Sequence, residues 1–310
     1  MSQKCDLVVI GGGTAGLTAG LFGVKYGMKV VILERLFGGG QVLNAEHIDN
    51  FPGFKTEVSG FEYGQLLLEQ VEAAGAEFQM AEVTELQSQE PYHSVITSDG
   101  QYQTKAVIIS AGSTLRHLGI TGEAEHHGNG VSYCATCDGA FFADEVVGVV
   151  GGGDSAMDEA LTLTKFASEV IIFHRRDTLG GQKALQDRIL SNPKVRVVWN
   201  TTIQEVLGSE QVTGVLTRDE ATGETSQVGL SGLFIYIGLE PNARFVSGVL
   251  PLDNSGHIPT DLWMSTGVPG IYAAGDIRQG SAAQLVTAAG DGATAAIAAA
   301  RYIQGRNWPS

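Results

Sequence analysis

Asp6-Leu7-Val8-Val9-Ile10-Gly11-Gly12-Gly13-Thr14-Ala15-Gly16 joins a short apolar run to a G-x-G-x-x-G. The run 6–10 reads as a parallel strand covered on both faces, and residues 17–26, with Leu17, Leu21 and Val24 along one side, as the helix that follows. A second strand over 29–33 ends at Glu34, 34 − 16 = 18 residues after Gly16, close to the roughly 20 expected of an acid that binds a ribose. Each position has a physical reason. Gly11 allows the tight turn, Gly13 lets backbone N–H groups approach a pyrophosphate, Gly16 lets helix pack on strand, and Glu34 accepts from a ribose hydroxyl. A glycine fingerprint alone is weak evidence, but this one has its strand, helix and acid in place.

The same pattern returns 151 − 11 = 140 residues later. An apolar strand over 146–150 feeds Gly151-Gly152-Gly153-Asp154-Ser155-Ala156, the G-x-G-x-x-A variant, and a helix over 156–166 and a strand over 170–173 repeat the order. The ending differs, because His174-Arg175-Arg176 stands where the first unit has Glu34. A carboxylate would repel a 2′-phosphate and guanidinium groups bind it bidentately, so this second site suits NADP rather than NAD. A solvated basic turn is the competing reading. Further strands fall at 195–198, 204–207, 212–218 and 232–237, and the turn 237–242 returns the chain to its first domain.

Between the two fingerprints, after a polar connector over 114–130, lies Tyr133-Cys134-Ala135-Thr136-Cys137-Asp138-Gly139, with two of the three cysteines of the chain. Two thiols at this spacing close a disulfide, and a thiolate from the pair is the nucleophile in exchange with another disulfide. The alternatives are half of a zinc site, with His126 and His127 as distant ligands, or two buried, inert cysteines. No second Cys-x-x-Cys exists, and Asp138 and Gly139 argue against an apolar burial site.

Composition narrows the classes. A chain of 310 residues with 43% hydrophobic content fits two domains with substantial cores. Its formal charge of -15 disfavours nucleic acid and anionic membranes as partners. No apolar run reaches the roughly 20 residues of a membrane span. The start runs into a strand pattern without a signal peptide, and few cysteines fit a reducing cytoplasm.

Other stretches await a role. Gly38-Gly39-Gly40-Gln41 and Asn50-Phe51-Pro52-Gly53 suit either a cofactor against the backbone or a flexible loop. Residues 60–75 read as a helix with Leu66, Leu67, Val71 and Ala74 inward, and 78–83, 94–97 and 106–110 as strands, the last ending in Ala111-Gly112. In Gly270-Ile271-Tyr272-Ala273-Ala274-Gly275-Asp276 the aspartate can reach the ribityl hydroxyls or a phosphate of a flavin dinucleotide. The final helix, 282–303, is rich in Ala and Gly, which permits close packing on a cofactor, a partner or the core.

Taken together, Gly11 to Gly16, Gly39-Gly40-Gln41, Cys134-Ala135-Thr136-Cys137-Asp138-Gly139, Gly151 to Ala156, His174-Arg175-Arg176-Asp177 and Ala273-Ala274-Gly275-Asp276 resemble the low-molecular-weight, bacterial-type thioredoxin reductases over nearly the whole chain. The resemblance implies an α/β fold of two Rossmann-like domains, of the two-dinucleotide-binding flavoprotein type, the second inserted in the first. Residues 1–114 and 243–310 would bind FAD, and 115–242 would bind NADPH and carry the disulfide. It also implies a homodimer, and a thioredoxin or thioredoxin-like protein as partner. Gly11, Gly13, Thr14, Ala15, Gly16, Glu34, Gly40, Gln41, Asn50, Val83, Gly112, Gly275, Asp276 and Gln284 would hold the flavin. Gly151, Gly153, Asp154, Ser155, Ala156, His174, Arg175 and Arg176 would hold the nicotinamide nucleotide, and no metal is implied. Cys137 would face the flavin, Cys134 would exchange with the partner, and Asp138 would handle the thiol protons.

Two departures qualify this. Members usually carry a third arginine four residues after Arg176, where this chain has Gly180, which opens the donor to NADH or a non-nicotinamide reductant. Where members typically carry Tyr-Arg-Gln, this chain has Ala282-Ala283-Gln284, and together the two departures resemble the atypical branch of the family, in which the usual pyridine-nucleotide contacts are degraded. A ferredoxin-NADP reductase-like electron carrier of similar plan is the alternative from another class, but its members lack the cysteine pair.

Overall fold

The computed structural model describes residues 2–45, 47–48, 50–54 and 56–304, so the tail with Trp308 lies outside the described residues. The chain divides into two compact units, Met1–Thr114 with Glu240–Ser310, and Leu115–Leu239. The return crossing thus falls at Glu240 rather than at residue 243.

The first unit begins with β1 (Ser2–Ile10), α1 (Thr14–Lys25), β2 (Val30–Glu34), α2 (Gly60–Ala74), β3 (Glu77–Met80), β4 (Val83–Gln89), β5 (Tyr92–Thr97) and β6 (Gln101–Ile109). They form one sheet in the order β3-β2-β1-β6-β5-β4, parallel from β3 to β6 and antiparallel beyond. Side chains alternate across a strand. Leu7 and Val9 therefore enter one core with Leu17, Ile32 and Ala295, while Val8 and Ile10 enter another with Val31, Leu86 and Ile271. Burial on both faces is why β1 reads as an unbroken apolar run.

Two local expectations fail here. The stretch 78–83 is not one strand, because Ala81 donates its N–H to Glu34 O at the end of β2 and the chain turns there before β4. On α2 the inward face is Tyr63, Gly64, Leu67 and Val71, and Leu66 is 51% exposed. A helix turns about 100° per residue, which carries Leu66 away from the face that Leu67 shares with Val71.

After β7 (Ser113–Leu115), the second unit contains β8 (Val131–Ser132), α3 (Ala135–Asp138), β9 (Val146–Gly151), α4 (Asp154–Leu163), β10 (Glu169–Phe173), α5 (Lys183–Ser191), β11 (Val195–Val198), β12 (Thr201–Gly208), β13 (Val212–Asp219), β14 (Thr225–Gly229) and β15 (Gly232–Tyr236). A parallel sheet runs β11-β10-β9-β15-β8, and β12-β13-β14 form a separate antiparallel sheet. Again two cores flank the parallel sheet, one with Val147, Met157, Leu163 and Phe234, the other with Val150, Phe173, Val215 and Leu233. The sequence reading missed β14, whose mostly exposed residues carry no apolar alternation.

The chain closes through β16 (Leu239–Pro241), β17 (Ile271–Ala273), which lies parallel to β6, and α6 (Leu285–Ile303). This last helix starts at Leu285, later than residue 282, because Ala283 sits at φ 50 in the left-handed region. It packs on α1: a Cβ at Gly292 would lie 2.0 Å from Ala15 O. Among the described residues, no helix is long and apolar enough to cross a membrane.

Candidate active site

In the first unit the fingerprint is built by sterics. Gly11 has φ 105, and a Cβ on Gly16 would lie 1.8 Å from Gly11 O, so only glycine lets α1 sit on the end of β1. Around Gly13 nothing comes nearer than 3.9 Å to a Cβ position, and α1 begins there with no side-chain cap and no acid in its first turn. Those first N–H groups lack helical partners and carry the positive end of the helix dipole, so the cradle fits a pyrophosphate. Glu34 lies beside it, its carboxylate accepting from Gly12 N–H at 2.7 Å and Leu36 N–H at 3.0 Å.

Neighbouring loops converge on this cradle. Gly39 N–H donates to Gly12 O at 2.8 Å, and a Cβ on Gly40 would lie 2.9 Å from Gly13 Cα. Gln41 Nε2 donates to Ser113 O at 2.6 Å, and the Ser113 hydroxyl donates to Asp276 O at 3.3 Å. A Cβ on Gly275 would lie 3.0 Å from Ala15 Cβ, which puts the Gly-Asp pair against α1. Burial raises the Asp276 carboxyl above its ordinary range, against a hydrogen bond from Ser281. Gly112, at φ 59, faces open space, and Asn50 Nδ2 reaches Gln284 Oε1 at 3.5 Å. Val83 stands two residues beyond Ala81, whose N–H bonds the end of β2. The sequence reading missed Asp291, which accepts from Gly275 N–H at 3.1 Å and from Arg278 Nε at 2.6 Å, fixing the Gly-Asp turn from α6.

The second fingerprint repeats the logic. Gly151 has φ 143, a Cβ there would lie 2.8 Å from Ala156 Cβ, and Gly153 is open on all sides within 4 Å. His174 is stacked so close to Gly152 that a Cβ would meet its Nδ1 at 2.3 Å. Arg175 and Arg176 follow, both exposed and without an ion pair among the described residues. They are therefore free to meet a phosphate. Asp154, in the first turn of α4, is turned aside: its carboxylate accepts from Gln182 N–H at 2.6 Å, and Gly180 N–H donates to Gly152 O at 2.7 Å.

Cys134 and Cys137 are joined, with their Cα atoms 5.3 Å apart. The bond caps α3, and Cys134 Sγ accepts from Cys137 N–H at 3.1 Å. Ala135 N–H donates to both Tyr236 Oη at 2.9 Å and Glu159 Oε2 at 3.0 Å, which pins the start of the turn to β15 and α4. Cys137 is exposed and Cys134 half-buried. Asp138 accepts a 2.6 Å hydrogen bond from the Ser132 hydroxyl. Just before the pair, Tyr133 donates to Glu123 Oε1 at 2.6 Å, and Glu123 also accepts from the N–H groups of Leu118, Gly119 and Ile120. Ser132, Tyr236, Glu159 and Glu123 escaped the sequence reading, since none lies in a recognisable spacing.

Two dinucleotide cradles in one chain with an exchangeable disulfide define the class of pyridine nucleotide-disulphide oxidoreductases, and the sequence profile of that family matches residues 5–292. Thioredoxin reductase of Treponema pallidum is 42% identical over 306 residues, covering 98% of this chain and 98% of the relative. Thioredoxin reductase of Bacillus subtilis is 41% identical over 300 residues, covering 96% of this chain and 95% of its own. The crystal structure of Lactococcus lactis thioredoxin reductase in its FR conformation superposes with a TM-score of 0.95 at 41% identity, covering 97% of this chain and 99% of that one. This chain belongs to the thioredoxin reductase family, of the low-molecular-weight bacterial type, and is a disulfide oxidoreductase.

Proposed function

We propose that the chain reduces oxidised thioredoxin with NADPH, holding FAD at the Gly11–Gly16 cradle and NADPH at the Gly151–Ala156 cradle. The balance is NADPH plus a proton plus thioredoxin disulfide giving NADP⁺ plus thioredoxin dithiol. The observation that carries this reading is the joined Cys134–Cys137 pair beside Asp138, in a chain with two dinucleotide cradles. Bound FAD supplies the two-electron relay between nicotinamide and disulfide. On the protein side, Gly13 and the start of α1 bind pyrophosphate, Glu34 takes a ribose hydroxyl, and Asp276 takes a ribityl or phosphate group. Arg175 and Arg176 bind the 2′-phosphate.

In the exchange step an attacking sulfur must be reachable from outside. Cys134 is partly exposed, and the resemblance supports it as the cysteine that meets the partner disulfide, with Cys137 as the resolving thiol that faces the flavin. Cys137 N–H donates to Cys134 Sγ, a contact that stabilises negative charge on that sulfur and so suits the attacking thiolate. Asp138 takes and returns the thiol proton. Family membership also supports a homodimer and a cytoplasmic setting.

The test is anaerobic titration of the purified flavoprotein with NADPH and then NADH, following the oxidised flavin band and reduction of added thioredoxin. Stoichiometric bleaching by NADPH with thioredoxin dithiol formed is the expected result. Bleaching by NADH alone would keep the disulfide chemistry and change the donor, as Gly180 in place of an arginine favours. No bleaching by either, with dithionite still effective, would overturn the nicotinamide step.

A further inference from the structure

Ser132 ends β8 and is 5% exposed. Its hydroxyl hydrogen has two acceptors, Asp138 Oδ2 at 2.6 Å and Cys134 O at 3.3 Å, while its oxygen accepts from Cys134 N–H at 3.0 Å. A hydroxyl has a single hydrogen, and the short bond to an ionised carboxylate is the stronger choice. The incoming N–H polarises the hydroxyl and strengthens it as a donor. One buried side chain thus grips both the backbone of the redox turn and the carboxylate beside it.

We propose that Ser132 is a positioning residue for thiol proton transfer, acting through Asp138. The inference rests on the reading of Asp138 as the acid/base. Ser132 commits Oδ2, leaving Oδ1 to take the proton when the S–H bond of the attacking cysteine breaks. The resulting thiolate forms a bond to one sulfur of the partner disulfide, and the other sulfur leaves as a thiolate. That thiolate takes the proton back from Asp138, so protons and electrons balance. Without the Ser132 hydroxyl the carboxylate loses the donor that fixes Oδ2, and Oδ1 is no longer held for the thiol proton.

The experiment uses the full-length flavoprotein, reduced with dithiothreitol and desalted, reacting with the aromatic disulfide DTNB. Buried Cys5, its thiol pushed up to about 12 by burial, stays silent in the native protein, so the rate reports Cys134 and Cys137. The thiolate fraction falls at low pH in every variant, so the variants are compared at about pH 7. In Ser132→Ala the rate falls about three- to tenfold, while Ser132→Thr, which keeps the hydroxyl, stays within about twofold of wild type. Asp138→Asn lowers the rate at least as far, and Ser132→Ala adds no further loss in that background. A rate unchanged by Ser132→Ala but lowered by Asp138→Asn would overturn the role of Ser132 and leave Asp138 standing. If Ser132→Thr loses as much as Ser132→Ala, the loss reports packing and the inference fails. If Asp138→Asn leaves the rate intact, the acid/base reading falls and takes this inference with it.

Discussion

A methyl group at Gly16 has nowhere to go, since its carbon would lie 1.8 Å from Gly11 O, a backbone atom that cannot swing aside. Gly16→Ala forces α1 off the end of β1, at a cost of about 1–3 kcal/mol, and opens the cradle built on that contact. We expect the purified variant to carry less than half the wild-type ratio of flavin to protein absorbance, with a lower Tm; full flavin occupancy would show that the third glycine is not needed for packing. Glu123 gives a pH-dependent counterpart. Burial would raise its carboxyl, but the Tyr133 hydroxyl and the N–H groups of Leu118, Gly119 and Ile120 outweigh that and hold it below its ordinary 4.5. A carboxyl with a lowered folded-state value contributes stability above its unfolded value and loses it as pH falls through the folded one. Glu123→Gln should therefore lower the Tm at pH 7, and the gap to wild type should close as pH drops below 4.5. A gap that persists unchanged at pH 3 would mean the contribution is shape rather than charge.

At the scale of elements, the two fingerprints were legible because each glycine answers to a contact within the same strand-turn-helix, and local sequence carries local geometry. What helix α6 does was not legible. Its run of Ala and Gly fits several partners, and only the fold shows that Gly292 lies against Ala15 O, so that α6 braces the helix of the first cradle from behind. From the same helix, Asp291 reaches Gly275 N–H across 16 residues, and on the other side of the chain Ala135 N–H meets Tyr236 across 101. Separations of that kind leave no periodic trace in a single sequence. The start of α6 and the inner face of α2 were misread for a simpler reason, because Ala283 and Leu66 belong to residue types common inside helices and cores. Gly292→Leu should then act at a distance. With the branched side chain aimed at the α1 backbone, we expect a loss of about 2 kcal/mol or more in stability and weaker flavin retention on gel filtration. The rate of DTNB reaction at Cys134 and Cys137, whose turn is held by β15 and α4, should stay within twofold of wild type. A slowed thiol reaction would mean that the two units do not behave as separate packing elements.

The whole molecule is two compact units of unequal continuity, since one is assembled from both ends of the chain and the other is a single stretch, Leu115–Leu239. That stretch has what an independent domain needs. Its parallel sheet is covered on both faces by cores of its own, Val147, Met157, Leu163 and Phe234 on one and Val150, Phe173, Val215 and Leu233 on the other. The redox turn is held by Ser132, Glu159 and Tyr236, all within the same stretch. A fragment spanning 115–239 should therefore fold alone, with a cooperative melt and a stability within the usual range of roughly 5–15 kcal/mol. It should also form the Cys134–Cys137 disulfide and bind NADP⁺ more tightly than NAD⁺ by calorimetry, if Arg175 and Arg176 suffice without a third arginine. The complementary fragments, 1–114 and 240–310, each hold part of one sheet, since β17 belongs beside β6, and neither should melt cooperatively alone. Mixing the two with FAD is expected to restore the melt. A non-cooperative 115–239 fragment would show that the second unit depends on the first for its core, and that its nucleotide and disulfide sites cannot be treated apart from the flavin side.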